Sequence, residues 1–479
     1  MGEARKRGAY DERRKAAIRR NKAKLTEITG GRDPVLDARL RAGIAPFFAR
    51  LTPDEWGQRR ALIIAALSGI TDGSELEKAA SIRIKGDEIA WYLFLAEQAL
   101  NDPLNTDIAQ SQRTLVYFAG IGSRWKYAHR VSGMETKLDE IIHTYKSSPD
   151  GGIFELCVAL GYASKGWEVE FIPTQRGAGV KTPDMVARKG GAELYIECKR
   201  QDRRAAYAEN ERNEFLRLWD AARPIIQSNG QWLWMRGTFH VELSSLPVDF
   251  LSKILEEQLP LPAKEVLLYD GPELTLHVRH IDVAKVQHHF RNNRVKTNSP
   301  TLNKVIGGDW APKNASVTMA TIAAVSEIVD CEAPVLGTYI EHVDWACGFT
   351  REIDAPVSIE KKARDIKNLL AAAVKQVPSD ACSVIHIAAE TLEGRDVERR
   401  RTEKVKESIP AFVTDKPVLA IRFHRFQGNS STDLLFEFDE TVETFALDGV
   451  PLDELPVGVV IPDDVEMQDG SHWELYPQG

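Results

Sequence analysis

The chain has 479 residues, 43% of them hydrophobic and 28% charged, with a formal net charge of −8, as in a soluble globular protein of two or three domains. No apolar run reaches the ~18 residues of a membrane span, and the basic N-terminus lacks the apolar stretch of a secretory signal. Five cysteines, at 157, 198, 331, 347 and 382, are scattered without zinc spacing; their odd number argues against a disulfide framework, so a reducing, cytoplasmic compartment is expected.

The charge is unevenly spread. Residues 1–24 hold ten Lys or Arg against three acids, whereas residues 426–479 hold thirteen acids and no Lys or Arg. The middle is close to neutral, so net charge neither supports nor excludes a polyanionic partner. Residues 1–30 read as a basic arm with a thin apolar stripe of Ile18, Leu25 and Ile28. Such an arm can follow a phosphate backbone or remain a solvated terminus.

Residues 31–146 read as an all-helical domain. Leu36, Leu40, Ile44, Phe47, Phe48 and Leu51 follow helical spacing, and Thr52-Pro53-Asp54-Glu55 is a capping box opening a helix through Leu67. Further helices are expected near 87–100, 107–119 and 134–146.

The next stretch changes periodicity twice. Residues 153–163 fit a helix bearing Glu155, residues 167–172 alternate as a strand, and 184–188 and 192–199 read as two strands turned at Lys189-Gly190-Gly191. In the last strand Tyr195, Glu197 and Lys199 point one way and Leu194, Ile196 and Cys198 the other. Glu197 and Lys199 thus lie about 7 Å apart on one face, with Asp184 within reach at the mouth of the neighbouring strand. Oxygen ligands of this kind suit Mg²⁺, with Mn²⁺ as a substitute: Asp184 and Glu197 as ligands and Glu155 completing the set from the helix. Lys199 is then placed to orient a water or to neutralise a phosphoryl oxyanion.

Pro183-Asp184 followed by Glu197-Cys198-Lys199, behind a helix bearing Glu155, resembles the PD-(D/E)xK nuclease superfamily, the restriction-endonuclease-like fold. The resemblance covers roughly residues 150–245. It implies an α/β protein with an αβββαβ core and Mg²⁺-dependent phosphodiester cleavage, DNA being favoured over RNA. Restriction, phage defence and repair are the roles it raises. Three other Glu/Asp-x-Lys triplets, at Glu135, Glu360 and Asp365, lie in helical patterns where residues two apart share no face.

Beyond the triplet, Arg200, Arg203 and Arg204, with Lys181 in the Gly-rich loop before the hairpin, are candidates to hold nucleic-acid phosphates. A long helix to Gln227, a strand at 238–244 and a helix at 248–258 are read as completing the core. Residues 262–355 read as an insertion. From 359 to 424 helices alternate with the strands CSVIHIA and VLAIRFH, extending the same mixed sheet, so that the nuclease-like domain spans 147–431. Residues 432–479 form an acidic C-terminal segment whose aromatic residues suggest partial order. A homo-oligomer is compatible with this reading. So are a non-catalytic nucleic-acid-binding protein of the same fold and a regulatory protein.

Overall fold

The computed structural model describes residues 34–68, 84, 86–173, 182–201, 206–262, 265–297, 299–311, 316–327, 333–391, 393–429, 437–446 and 452–465. The basic arm lies outside them. The N-terminal part is helical: α1 (Pro34–Phe48), α2 (Pro53–Ser68), α3 (Glu88–Asn101) and α4 (Ile108–Arg124). Local chemistry starts α2, α3 and α4 where the sequence says. Thr52 Oγ1 accepts from Glu55 N at 3.2 Å, Asp87 caps α3 and Asp107 caps α4. Helices α1 and α4 cross at glycines: a side chain on Gly43 would meet the Phe118 carbonyl, and one on Gly122 the Arg39 carbonyl. The short strand β1 (Val131–Ser132) and α5 (Met134–Asp139) follow, with α5 running into a π-helical turn, Glu140–Thr144.

Helix α6 (Asp150–Ser164) leads into β2 (Glu168–Phe171), parallel to β1, and then into β3 (Met185–Lys189) and β4 (Ala192–Arg200), each antiparallel to the strand before it. Gly190 and Gly191 turn the β3–β4 hairpin with φ of 58° and 84°, values that favour glycine at both places.

The chain then leaves this sheet. Helix α7 (Ala206–Asn229) packs on a second sheet made of β5 (Leu233–Phe239), β6 (Val266–Asp270), β7 (Leu274–His280), β8 (Val295–Lys296), β9 (Ser316–Glu327) and β10 (Thr338–Ile353). Its order is β6-β7-β5-β10-β8, with β9 on the other side of β10. Helices α8 (Phe250–Gln258), α9 (Val283–Asn292) and α10 (Pro300–Gly307) cover it.

The strand expected at 238–244 to complete the first core is therefore corrected. It is β5, at 233–239, and it lies in the second sheet between β7 and β10. The insertion is correspondingly larger than 262–355, because α7 and β5 belong to it.

After α11 (Pro356–Lys362) and α12 (Lys367–Gln376) the chain returns. Strand β11 (Ser383–Glu390) pairs parallel to β4, β12 (Val418–Asn429) pairs parallel to β11, and β13 (Glu437–Ala446) closes antiparallel. Helix α13 (Arg395–Ser408) joins β11 to β12. The first sheet thus reads β1-β2-β3-β4-β11-β12-β13, a mixed sheet that the 383–390 and 418–429 strands do extend.

One hydrophobic cluster unites the helical part with one face of that sheet, from Leu40 and Phe118 through Phe154 and Ile196 to Val459 and Val460. The opposite face, with Ile385, Ile387 and Phe423, is covered by Leu370, Ala373 and Val405 of α12 and α13. The architecture is α/β, with a helical N-terminal region and two mixed sheets.

Part of the acidic C-terminal segment is structural. Glu440 of β13 is buried and accepts from His424 Nδ1 at 2.9 Å and from the backbone N–H groups of Val459, Val460 and Ile461. Arg124 donates to the Val459 and Ile461 carbonyls and to Asp463, so both polarities of this irregular stretch are matched by buried side chains.

Candidate active site

Strand β4 lies between β3 and β11, which removes its middle from water. Glu197 is 0% exposed. Its neighbours in the pairing are Ile385 of β11 and, one residue along, the Met185–Ile196 pair of the hairpin. One residue before β3, Asp184 turns its carboxylate into the ladder: Oδ2 accepts from Cys198 N at 2.7 Å. A side chain thus takes a strand's place as acceptor and fixes Asp184 beside the Glu197 end of β4.

Glu197 Oε1 accepts from Lys199 Nζ and from Gln376 Nε2 at the end of α12. Glu197 Oε2 is buried and has no hydrogen-bond partner among the described residues. Glu155, one turn into α6, is gripped by Lys137 of α5 at 2.7 Å, and Lys137 also reaches Glu140 at 3.3 Å. The sequence-derived set is brought together: Asp184, Glu197 and Lys199 as one group, with Glu155 near enough to interact electrostatically with Asp184 and Lys199.

The electrostatics follow from burial of like charges. Burial first, then the Asp184 charge, pushes the Glu155 carboxyl up to about 7, against the opposing pull of Lys137. Burial and then Glu197 push Asp184 up to about 7. Burial also raises Glu197 to about 7, although Lys199 beside it works the other way. Burial lowers the Lys199 ammonium, but Glu197 outweighs it and the net shift is upward, so Lys199 stays protonated at neutral pH.

Among the described residues no three His, Cys, Asp or Glu side chains form a ready-made metal cage. The donor set nonetheless fits a hard cation of the Mg²⁺ kind. Three crowded carboxyls that resist ionising together, and a buried carboxylate oxygen with no donor, are both relieved by a divalent cation. Asp184 and Glu197 would hold it, in keeping with the one or two carboxylates plus water that Mg²⁺ usually takes. Glu155 is held by Lys137 through Oε2.

The basic candidates fare differently. Arg200 has a side chain 6% exposed, donates to Tyr117 Oη at 2.7 Å, pairs with Glu390 and lies 3.6 Å from Asp150. Its guanidinium is committed to this internal network, which corrects the expectation of a phosphate contact. Lys181, Arg203 and Arg204 lie outside the described residues. Two residues that the sequence reading did not single out belong to the site, Gln376 and Lys137. Gln376 sits 179 positions from its partner Glu197, and no local pattern marks it. Lys137 lies in a helical Glu-x-Lys match, and only the tertiary approach of α5 to α6 gives it a role.

Comparison of the chain with protein-family models, with curated proteins and with solved structures gives no match.

Proposed function

We propose that the protein is a metal-dependent nuclease of the PD-(D/E)xK kind, hydrolysing phosphodiester bonds through Asp184, Glu197 and Lys199, with Glu155 as an accessory carboxylate. DNA is the favoured substrate and endonucleolytic cleavage the favoured mode. The observation that carries this is the closeness of two buried carboxyls, both pushed up to about 7 first by burial, to a protonated lysine on the same strand. A protein built for stability alone has little reason to bury them, since each unpaired polar group costs about 1–3 kcal/mol. The run of α6, β2, β3 and β4, followed by α12 and a parallel β11, is the order the resemblance implies once 206–362, with α11, is set aside.

Each residue has a task. Asp184 and Glu197 hold the cation, which when bound lowers the pKa of a water and offsets charge on the phosphoryl group. Lys199, as an ammonium, donates to the oxyanion or to the attacking water; being protonated, it is an electrostatic donor rather than a base. Gln376 fixes the rotamer of Glu197 by donating to Oε1, leaving Oε2 directed elsewhere. Lys137 holds Glu155 in reserve.

The test is cleavage of plasmid DNA and of RNA by purified protein across a Mg²⁺ and Mn²⁺ titration, with Lys199→Ala and Asp184→Ala alongside. Lys199→Ala is expected to keep the metal-induced thermal shift and lose about 10² to 10³ in rate. Asp184→Ala is expected to lose both. Equal cleavage by wild type and Lys199→Ala, or none by wild type on either substrate, removes the assignment.

A further inference from the structure

A strand with a neighbour on one side only is a template for another strand, unless it is short, bulged, charged or covered. Among the described residues the two sheets end on five such strands, β1, β13, β6, β8 and β9. Strands β1 and β8 are two residues long. Strand β6 is five residues long, and its register with β7 shifts between Leu267 and Tyr269. Strand β13 is ten residues long but carries Glu437, Asp439, Glu440 and Glu443. Each of these four edges is blunted by a recognised device.

Strand β9 is itself regular, the two register shifts of its ladder falling on β10 between Ile340 and His342 and between Val343 and Trp345, and among the described strands only β10 pairs with it. It is twelve residues long, SVTMATIAAVSE, and pairs with β10 along one side from Ser316 to Glu327. It contains no proline, and its single charge is its last residue. Ile322 and Val325 are 46% and 54% exposed. Most of the other side chains are Ser, Thr or Ala, too small to screen the backbone or to build pockets that select the side chains of a foreign peptide.

We propose that β9 pairs antiparallel with β9 of a second copy of this chain, joining two second sheets across a two-fold axis. Self-complementarity is what favours a second copy. Identical antiparallel neighbours are related by a two-fold axis perpendicular to the sheet, which sets the central residue opposite itself. The midpoint of β9 falls at Thr321 and Ile322, so a hydroxyl or an aliphatic side chain meets its own counterpart. Glu327, the one acid, falls near Ser316 of the other copy and not against its like. The same operation on β13 would bring Asp439 and Glu443 of both copies to one seam. The pairing is independent of the nuclease reading, because β9 lies in the insertion.

The experiment is light scattering coupled to size exclusion on the full-length chain over a concentration series. Wild type is expected to be a dimer, and Ile322→Lys to raise the dissociation constant about tenfold or more, by setting like charges side by side at the centre of the ladder. An unchanged melting curve for the variant shows that its fold is intact. Should Ile322→Lys misfold, single Thr321→Cys and Ile322→Cys variants decide: one of them is expected to cross-link to itself on oxidation beyond the wild-type background. A monomer at every concentration, a dimer that Ile322→Lys leaves intact, or no cross-link at either position overturns the proposal.

Discussion

At the scale of single residues, the acids of the candidate site make the metal-free protein uneasy at neutral pH. Glu155, Asp184 and Glu197 are pushed up to about 7 by burial and by one another, whereas such carboxyls titrate near 4 in an unfolded chain. Between those values the folded protein binds more protons than the unfolded one. Their contribution to stability is therefore fully present below the unfolded values and is lost as pH rises through 7. In chelator, the melting temperature of wild type is expected to fall from pH 5 to pH 8 relative to that of Asp184→Asn. Added Mg²⁺ is expected to restore it at the upper end, where the carboxylates are ionised. Parallel curves for the two proteins would show that Asp184 has no such coupling. Asn at this position can still accept from Cys198 N, so the comparison changes the charge and spares the ladder contact.

At the scale of elements, the C-terminal segment is held by its polar groups as much as by its apolar ones. The Glu440 carboxylate is opposed by burial, but His424 and the N–H groups near Val459 and Ile461 outweigh it and hold the group below its usual range. Glu440→Gln removes the charge that faces four donors and turns an amide N–H₂ toward one of them. It is expected to cost about 1–3 kcal/mol in chemical denaturation, the typical cost of leaving a buried donor without its acceptor. A loss indistinguishable from zero would mean that the segment is held by Val459 and Val460 alone. The aromatic residues of the segment pointed to partial order, but a count of thirteen acids with no base does not tell a buried acceptor from a solvated one.

Elements with their own punctuation were legible: the caps at Thr52, the two glycines of the β3–β4 hairpin, and the alternation that put Glu197 and Lys199 on one face. Partnership was not. Period-2 alternation announces a strand without saying which sheet receives it, and consecutive strands are neighbours often enough to make β5 look like the partner of β4. The true partner, β11, lies beyond two further helices and a second sheet. Gln376 was invisible for the same reason. The internal pairing of Arg200 was not legible because a basic residue next to a candidate site lysine looks the same in sequence whether it faces solvent or Glu390.

At the scale of the whole molecule, the second sheet is an excursion whose two ends meet. Gln201, just past β4, donates to the Asp365 carbonyl at 3.3 Å, immediately before α12. A short Gly/Ser linker can therefore replace residues 202–364 without stretching either flank. The shortened protein is expected to keep the Mg²⁺-dependent rise in melting temperature, because the carboxylates and Gln376 remain, and to run as a monomer, because β9 is gone. Loss of the thermal shift in a folded, shortened protein would show that the insertion supports the site. The buried pair of Lys362 with Glu211 is removed whole, whereas Arg400 and Lys404 of α13 lose Glu360, a partly exposed contact of small cost.

The long excursion also imposes an order of events during synthesis. A ribosome releases Asp184, Glu197 and Lys199 long before it makes Gln376 and β11, the side chain and the strand that enclose Glu197. Until then β4 is an open edge carrying an exposed carboxylate, and the whole second sheet has to be made before that edge can be closed. Closing it joins distant parts of the chain, a slow step in any folding reaction dominated by contacts far apart in sequence. The nascent polypeptide thus carries every acid of the candidate site before it has the enclosure that shifts their titration.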